Sequence, residues 1–388
     1  MRPASCRGFR PATSLWLLVI CLTSLGALAG RAKEAAFPAQ KTWLFVAGLL
    51  EWKDEGTLGS FPKKNRQDAV MVNLFRKASV PDHQILYIQD KEATLDRLRS
   101  SLKAFLQRIP RDAVLVFYYC GHGYSEESGD GKKVVVFAPW DASEKAGGWS
   151  MDGVAEQIYE EFHGRRALLL ADCCHSGEMV KAVRQLAKTH PDSPSVAAVS
   201  SSSARESSTG DWTFTEAFVA ALSGRSWTDL DSDGNTTLRE FANFASRDMT
   251  AFQAQHSTCE IPDSWPGEAA LAATSGPRGG RIGERINAHA DGAWWKGRVI
   301  DENAGKFRVR FVGYFQDDDL WLTAKDLRPL ENRRSYAPGT PVDAKWKNKW
   351  WPAVVLEEKD GSHLIHYTGY DESWDEWAPD ERLRPRQE

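Results

Sequence analysis

Cysteine is scarce in this chain of 388 residues, with six in all. No Cys-x-x-Cys and no His-Glu-x-x-His occurs, so neither a disulfide scaffold nor a standard zinc site is encoded. His363 and His366 are three apart, but on a strand they would face opposite ways. Positive charge is short too. Lys and Arg number 49 against 53 Asp and Glu, a net charge of -4, so no basic field gathers nucleic acid. Past the first thirty residues no apolar run could cross a bilayer, which excludes a multi-span membrane protein. At 42% hydrophobic the chain is also too apolar to be mostly disordered. Tryptophan is what abounds. Eight of the 16 lie in the last 108 residues, which marks the C-terminus as a separate object.

Arg2, Arg7 and Arg10 precede an uncharged run from Leu15 to Ala29 that closes on Ala27-Leu28-Ala29. That pattern predicts a signal peptide over 1–29, cleaved before Gly30, and hence a secreted or periplasmic protein with no membrane span in the mature chain. An uncleaved N-terminal anchor is the alternative. Cleavage would remove Cys6 and Cys21, leave Cys120, Cys173, Cys174 and Cys259, and take the net charge to about -7. Residues 30–40 then form a short extension.

Over 41–274 short apolar runs alternate with helical spacing. Strands are expected near 43–50, 84–88, 113–119, 167–171 and 196–199, with an extra hairpin strand over 132–137. Helices are expected near 65–78, 93–108, 151–162, 178–188, 214–222 and 238–244. Such alternation predicts an α/β domain, a mostly parallel sheet flanked by helices.

Chemistry in such folds gathers where the strands end. The third strand runs into Cys120-Gly121-His122-Gly123, and the next into Asp172-Cys173-Cys174-His175-Ser176-Gly177. A thiol and an imidazole at neighbouring strand tips are what nucleophilic thiol catalysis needs. The sulfur attacks a carbonyl, and the imidazole balances its charge or protonates the leaving amine. The N–H groups of Gly123 and Cys174 are candidates for an oxyanion hole. Taken singly, each residue is more simply a loop histidine or a buried small side chain. Their pairing among glycines favours function.

These two motifs resemble those of the cysteine peptidases that include caspases, metacaspases and legumains, and are most similar to metacaspases and their bacterial caspase-like relatives. The resemblance spans about residues 41–250 and includes Val80-Pro81-Asp82-His83-Gln84-Ile85 with Asp90. It implies His122 and Cys174 as a catalytic dyad, Cys173 inert, and a protein or peptide substrate. By the same resemblance Asp172 lies in the pocket for the residue before the scissile bond and favours Arg or Lys there. The Ser200–Ser208 segment departs from metacaspases, and its Glu206-Ser207-Ser208 resembles legumains. Ser200 and Glu206 are therefore further candidates for substrate binding. No organic cofactor is expected.

Asp229 to Glu240 fits a twelve-residue EF-hand loop: Asp229, Asp231 and Asp233 at positions 1, 3 and 5, and Gly234 at 6. Asn235 would offer its carbonyl and Glu240 both carboxylate oxygens, so Ca²⁺ is expected there. Thr236 replaces the usual aliphatic residue, and no second loop accompanies it.

After a linker over 275–282 the chain repeats. At a constant offset of 56, residues 286–329 lie on 342–385 with 13 of 44 positions identical. An ungapped duplication predicts two small all-β barrels, over 283–332 and 337–386. The second copy resembles the Tudor-knot, chromo-barrel and Agenet group of SH3-like barrels. That resemblance implies an aromatic cage, with Trp350, Tyr367, Tyr370 and Trp374 as candidates, and a protein or envelope ligand. The first copy has Phe315 and Asp318 where the second has Asp371 and Trp374, which weakens a cage there. The whole reads as an exported cysteine endopeptidase with a preference for basic residues, although a transpeptidase could share its acyl-enzyme. The rival reading is a binding or adaptor protein whose barrels act on an idle scaffold.

Overall fold

The computed structural model describes residues 34–388 apart from 130, 144–146, 192, 315, 331–335, 347–348, 360–361, 372–373, 380–381 and 387–388. The expected signal peptide and Phe315 lie outside the described residues. Among those described, no helix is long and apolar enough to cross a membrane.

The first domain runs β1 (Thr42–Gly48), α1 (Gln67–Lys77), β2 (Ile85–Gln89), α2 (Leu95–Leu106), β3 (Val114–Cys120), β4 (Gly123–Glu127), β5 (Lys133–Phe137), β6 (Trp149–Ser150), α3 (Met151–Glu161), β7 (Arg166–Asp172), α4 (Gly177–Thr189), β8 (Ser195–Ser200), α5 (Thr213–Leu222), β9 (Asn235–Thr237), α6 (Leu238–Asp248), β10 (Thr258–Glu260) and β11 (Ala270–Ala273). The main sheet has the order β10-β8-β7-β3-β1-β2. Five strands are parallel, and the short β10 closes one edge antiparallel to β8. Parallel strands covered on both faces must be apolar throughout, and β1, β3 and β7 are buried at every residue. Their side chains alternate between two cores. Trp43, Phe45 and Ala47 face α2, α3 and α4, whereas Leu44 and Val46 face α1, α5 and α6. This is a three-layer sandwich.

The expected strand over 132–137 is β5, and it pairs antiparallel with β4 and β6. Sequence reading did not separate β4 from the histidine motif, because Gly123-Tyr124-Ser125 carries no alternation. Asp68 in α1 is fully buried and anchors the open end of β1. Arg66 Nη2 donates to Gly48 O and Asp68 Oδ2, each at 2.8 Å, and its Nη1 donates to Asp90 Oδ2 at 2.8 Å.

The duplicated region forms two five-stranded antiparallel sheets of identical order. The first comprises β12 (Arg285–Ala290), β13 (Ala293–Asn303), β14 (Lys306–Phe311), β15 (Leu320–Thr323) and β16 (Leu327–Pro329). The second comprises β17 (Pro341–Trp346), β18 (Lys349–Lys359), β19 (Ser362–Tyr367), β20 (Glu376–Pro379) and β21 (Leu383–Pro385). Each has a small core, Ile286, Val299 and Val309 in one and Val342, Val355 and Ile365 in the other. Matching outer pairs recur: Arg328 lies 4.1 Å over Trp294, and Arg384 lies 4.3 Å over Trp350. The first barrel docks on α6 through Asp248, which accepts from Arg285 Nε at 2.7 Å and from Arg298.

Candidate active site

Parallel register brings the two motifs together. β3 and β7 pair from Val114 and Arg166 to Cys120 and Asp172, an offset of 52 that also separates His122 from Cys174. Both residues therefore stand two positions beyond the last paired residues. Together with Asp172, Ser208, Asp211 and Trp212 they line a cavity of about 370 Å³.

Close backbone approach shapes its floor. A Cβ on Gly123 would stand 2.2 Å from the Cys174 carbonyl oxygen, and one on Gly177 would stand 2.5 Å from the Ala204 nitrogen. Gly123 is buried behind the cavity and does not line it, whereas Gly121 does. His175, directly after Cys174, has a φ of 59°, a left-handed conformation uncommon for a side chain of its size. The turn is held by His175 N–H donating to Glu206 O at 2.9 Å.

His122 is wedged between Trp52 and Phe61, with ring centroids 4.4 and 4.6 Å away. Its Nε2 lies 2.8 Å from Gly59 O. A carbonyl only accepts, so Nε2 carries the proton and the neutral ring keeps its lone pair on Nδ1. Burial lowers the pKa of His122, against the opposing effect of the Gly59 carbonyl. Cys174 Sγ accepts from Ser208 N–H at 3.0 Å. Neither group bonds to the other.

Asp172 is buried, and its Oδ2 accepts from Thr215 Oγ1 at 2.6 Å. Burial raises its pKa to about 6, against the hydrogen bonds that favour the charged form.

The structure does not bring the other two specificity candidates to the cavity. Ser200, fully buried, donates to Ser202 O at 3.0 Å and meets Thr258 Oγ1 at 2.8 Å. Glu206 turns away, with Oε1 2.6 Å from His256 Nδ1 and Oε2 accepting from Ser203 N–H at 3.1 Å. Burial alone would raise Glu206, but His256 and Ser203 outweigh it and hold its pKa below the ordinary value. Conversely, Asp211 and Trp52 carried no signal in the sequence, because long-range packing alone makes them neighbours of the motifs, and Ser208 stood out there only as part of the Glu206-Ser207-Ser208 resemblance. Gly313 of the first barrel also reaches the cavity, and a Cβ there would lie 3.1 Å from Asp211 Oδ1.

In the 229–240 loop, Asp229, Asp231 and Asp233 each offer a carboxylate oxygen within 4.8 Å of the others, a donor set that fits a hard divalent cation. The fit weakens beyond them. Glu240 does not hold its oxygens open: Oε1 accepts from Leu230 N–H at 2.7 Å and Oε2 from Thr237 N–H at 2.8 Å, which closes a capping box on α6. Arg278 Nη2 lies 2.6 Å from Asp229 Oδ2 and supplies a counter-charge from the chain itself. The Asn235 side chain donates to Asp233 Oδ1 at 3.3 Å.

The second barrel carries an aromatic pocket of about 190 Å³, walled by Trp346, Trp351, Tyr367, Tyr370, Trp374 and Glu376 and, from the first domain, Arg205. The expected Trp350 is not part of it. Along β18 the residue facing the pocket is Trp351, on the same face as Ala353 and Val355 of the core, while Trp350 points the other way under Arg384.

No curated protein sequence matches the chain. Among solved structures, a protein from Geobacter sulfurreducens is 14% identical, covers 61% of this chain and all of its own, and has a TM-score of 0.39. The Drosophila initiator caspase Dronc is 10% identical over 62% of this chain and 88% of its own, with a TM-score of 0.39. A pair of Agenet domains from Arabidopsis thaliana AGDP1 is 20% identical over 28% of this chain and 82% of its own, with a TM-score of 0.14. Residues 66–183 match the family described as metacaspase, peptidase C14 domain, and that segment holds both His122 and Cys174. That segment is therefore similar to the metacaspase peptidase domain.

Proposed function

We propose that the chain is an exported cysteine endopeptidase that uses Cys174 and His122. The observation that carries this reading is the shared register of β3 and β7, which sets an imidazole and a thiol at one cavity. Sγ of Cys174 attacks the scissile carbonyl carbon, and His122 takes the thiol proton at Nδ1. The tetrahedral oxyanion collapses as the C–N bond breaks, and the amine leaves with the proton from His122. Water then attacks the thioester, His122 takes its proton, and the thiolate departs. An imidazole kept neutral by burial is suited to accept each proton. The backbone N–H of Cys174 is the natural donor to the oxyanion. The unpaired approach of the two groups before substrate arrives is ordinary for such sites.

Asp172 favours Arg or Lys before the scissile bond, since a cation reaching the cavity would draw its carboxyl to the charged form. Ca²⁺ at Asp229, Asp231 and Asp233 would brace the loop that leads into α6, as a structural ion with no part in the bond chemistry.

A panel of fluorogenic peptides varied at the residue before the scissile bond tests the reading, comparing the chain with Cys174→Ala. Cleavage after Arg or Lys that the substitution abolishes is the expected result. Cleavage after Asn would keep the peptidase and remove Asp172 from its role. Folded protein silent on every peptide would overturn the peptidase and leave the barrels as the working part.

A further inference from the structure

The loop between β8 and α5 is held at nearly every residue. Ser203 N–H donates to Glu206 Oε2, Glu206 O accepts from His175 N–H, and Ser207 O accepts from Gln255 Nε2 at 2.7 Å. Ser208 N–H then meets Cys174 Sγ. The end nearer β8 is held by the second barrel. Arg205 donates to Asp375 O and borders the aromatic pocket. His256, paired with Glu206, has its ring 5.3 Å from that of Trp377. Only Glu206 and Ser207 separate Arg205, gripped by the barrel, from Ser208, bonded to the thiol.

The charge of the pocket decides what occupies it. Glu376 is paired with Arg382, whose Nη1 lies 3.1 Å from Glu376 Oε2. Arg205 brings a guanidinium to the edge of a ring of aromatic faces, which attract a cation.

We infer that the aromatic pocket of the second barrel is a receptor for the chain's own Arg205, and that by holding it the barrel positions the 203–208 loop so that Ser208 N–H points at Cys174 Sγ. Arg205 is a positioning residue, acting on the thiol through Ser208. This rests on the proposed role of Cys174 for its effect on catalysis, but not for its effect on the loop. A guanidinium bordering indole and phenol faces and also bonded to a carbonyl has two attachments, whereas an alkyl side chain there would have neither.

The test compares the chain with Arg205→Ala, Arg205→Lys, Trp374→Ala and the Arg205→Ala/Trp374→Ala pair. Trp374 is 45% exposed, so its loss leaves the fold intact. Hydrogen exchange of a peptide spanning 203–212 reads the loop directly. Exchange about tenfold faster is expected in Arg205→Ala, with a smaller rise in Trp374→Ala, which leaves the bond to Asp375 O, and with the pair no faster than Arg205→Ala alone. Arg205→Lys should recover part of the protection, since it keeps the charge. On a cleaved peptide the same variants should lower kcat by about tenfold with KM nearly unchanged. Loop exchange equal in all variants, or effects that simply add, would overturn the clamp. Loop exchange that responds in a chain cleaving nothing would leave the clamp standing and remove the peptidase.

Discussion

Gly123 and Cys174 touch through their backbones: the space where a Cβ of Gly123 would stand lies 2.2 Å from the Cys174 carbonyl oxygen. The histidine motif and the cysteine motif are thus one packed unit. An alanine at 123 must push β4 and the β7 turn apart.

Gly123→Ala is therefore expected to lose more activity than stability. Overpacking of this kind costs about 1–3 kcal/mol. Relieving that contact takes a shift of about 1 Å between His122 and Cys174, which should cost about a hundredfold in kcat/KM. Thermal unfolding beside peptide hydrolysis checks it, and hydrolysis within a factor of two of the unsubstituted chain would contradict it.

Asp172 sets a pH dependence. Its carboxyl, raised by burial to about 6, is neutral below that and charged above. KM for an Arg-containing peptide should fall as pH rises through 6, and Asp172→Asn should abolish both the trend and the preference for Arg. Stability runs the other way. A raised folded pKa gives a contribution present below the ordinary carboxylate range and lost as pH rises through 6. The Asn variant should therefore unfold at a less pH-dependent temperature.

Glu216, on α5 against the first barrel, repeats this logic. Burial raises its pKa to about 7, against the pull of Arg310. Its stabilising contribution is lost as pH rises through 7, so Glu216→Gln should raise the unfolding temperature at pH 8 by on the order of a few degrees and change little at pH 5. Melting curves at the two pH values decide it.

Arg278 competes with any ion at Asp229. Calorimetric titration with Ca²⁺ should show tighter binding in Arg278→Gln, by about tenfold, and none in Asp231→Asn/Asp233→Asn. Equal affinity with and without Arg278 would mean that the arginine is no counter-charge for the loop.

Removing Arg66 should be among the costliest changes outside the cavity. It would leave Asp68, fully buried, without its cation, a loss of about 3–5 kcal/mol. Arg66→Met with denaturant unfolding measures it, and Arg66→Met/Asp68→Leu should recover much of the loss.

The core strands were legible because burial on both faces leaves a continuous apolar run, and the meeting of the His122 and Cys174 motifs at one cavity was legible because they extend two such runs. What stayed hidden depended on distance along the chain. Glu206 looks like a specificity residue until His256, 50 positions later, claims its carboxylate. Trp350 and Trp351 are adjacent and alike, and only strand parity tells them apart. Ala353 and Val355 lie on the Trp351 face, and that alternation was readable in the sequence. The linkage of Glu240 to the α6 capping box was implicit in Thr237-x-x-Glu240, a spacing shared by capping and calcium loops.

The bond between Arg205 and Asp375 spans 170 positions of chain. Contacts of such separation are slow to close, since the entropy of the intervening loop must be overcome before any attraction is gained. β1 to β8 precede both barrels in the chain and pair within one sheet, so the contact that fastens the segment beside the thiol is the more distant in sequence. On the proposed clamp, folding would have an order: the thiol's strands pair among themselves, and Ser208 N–H is aligned only once the second barrel is in place.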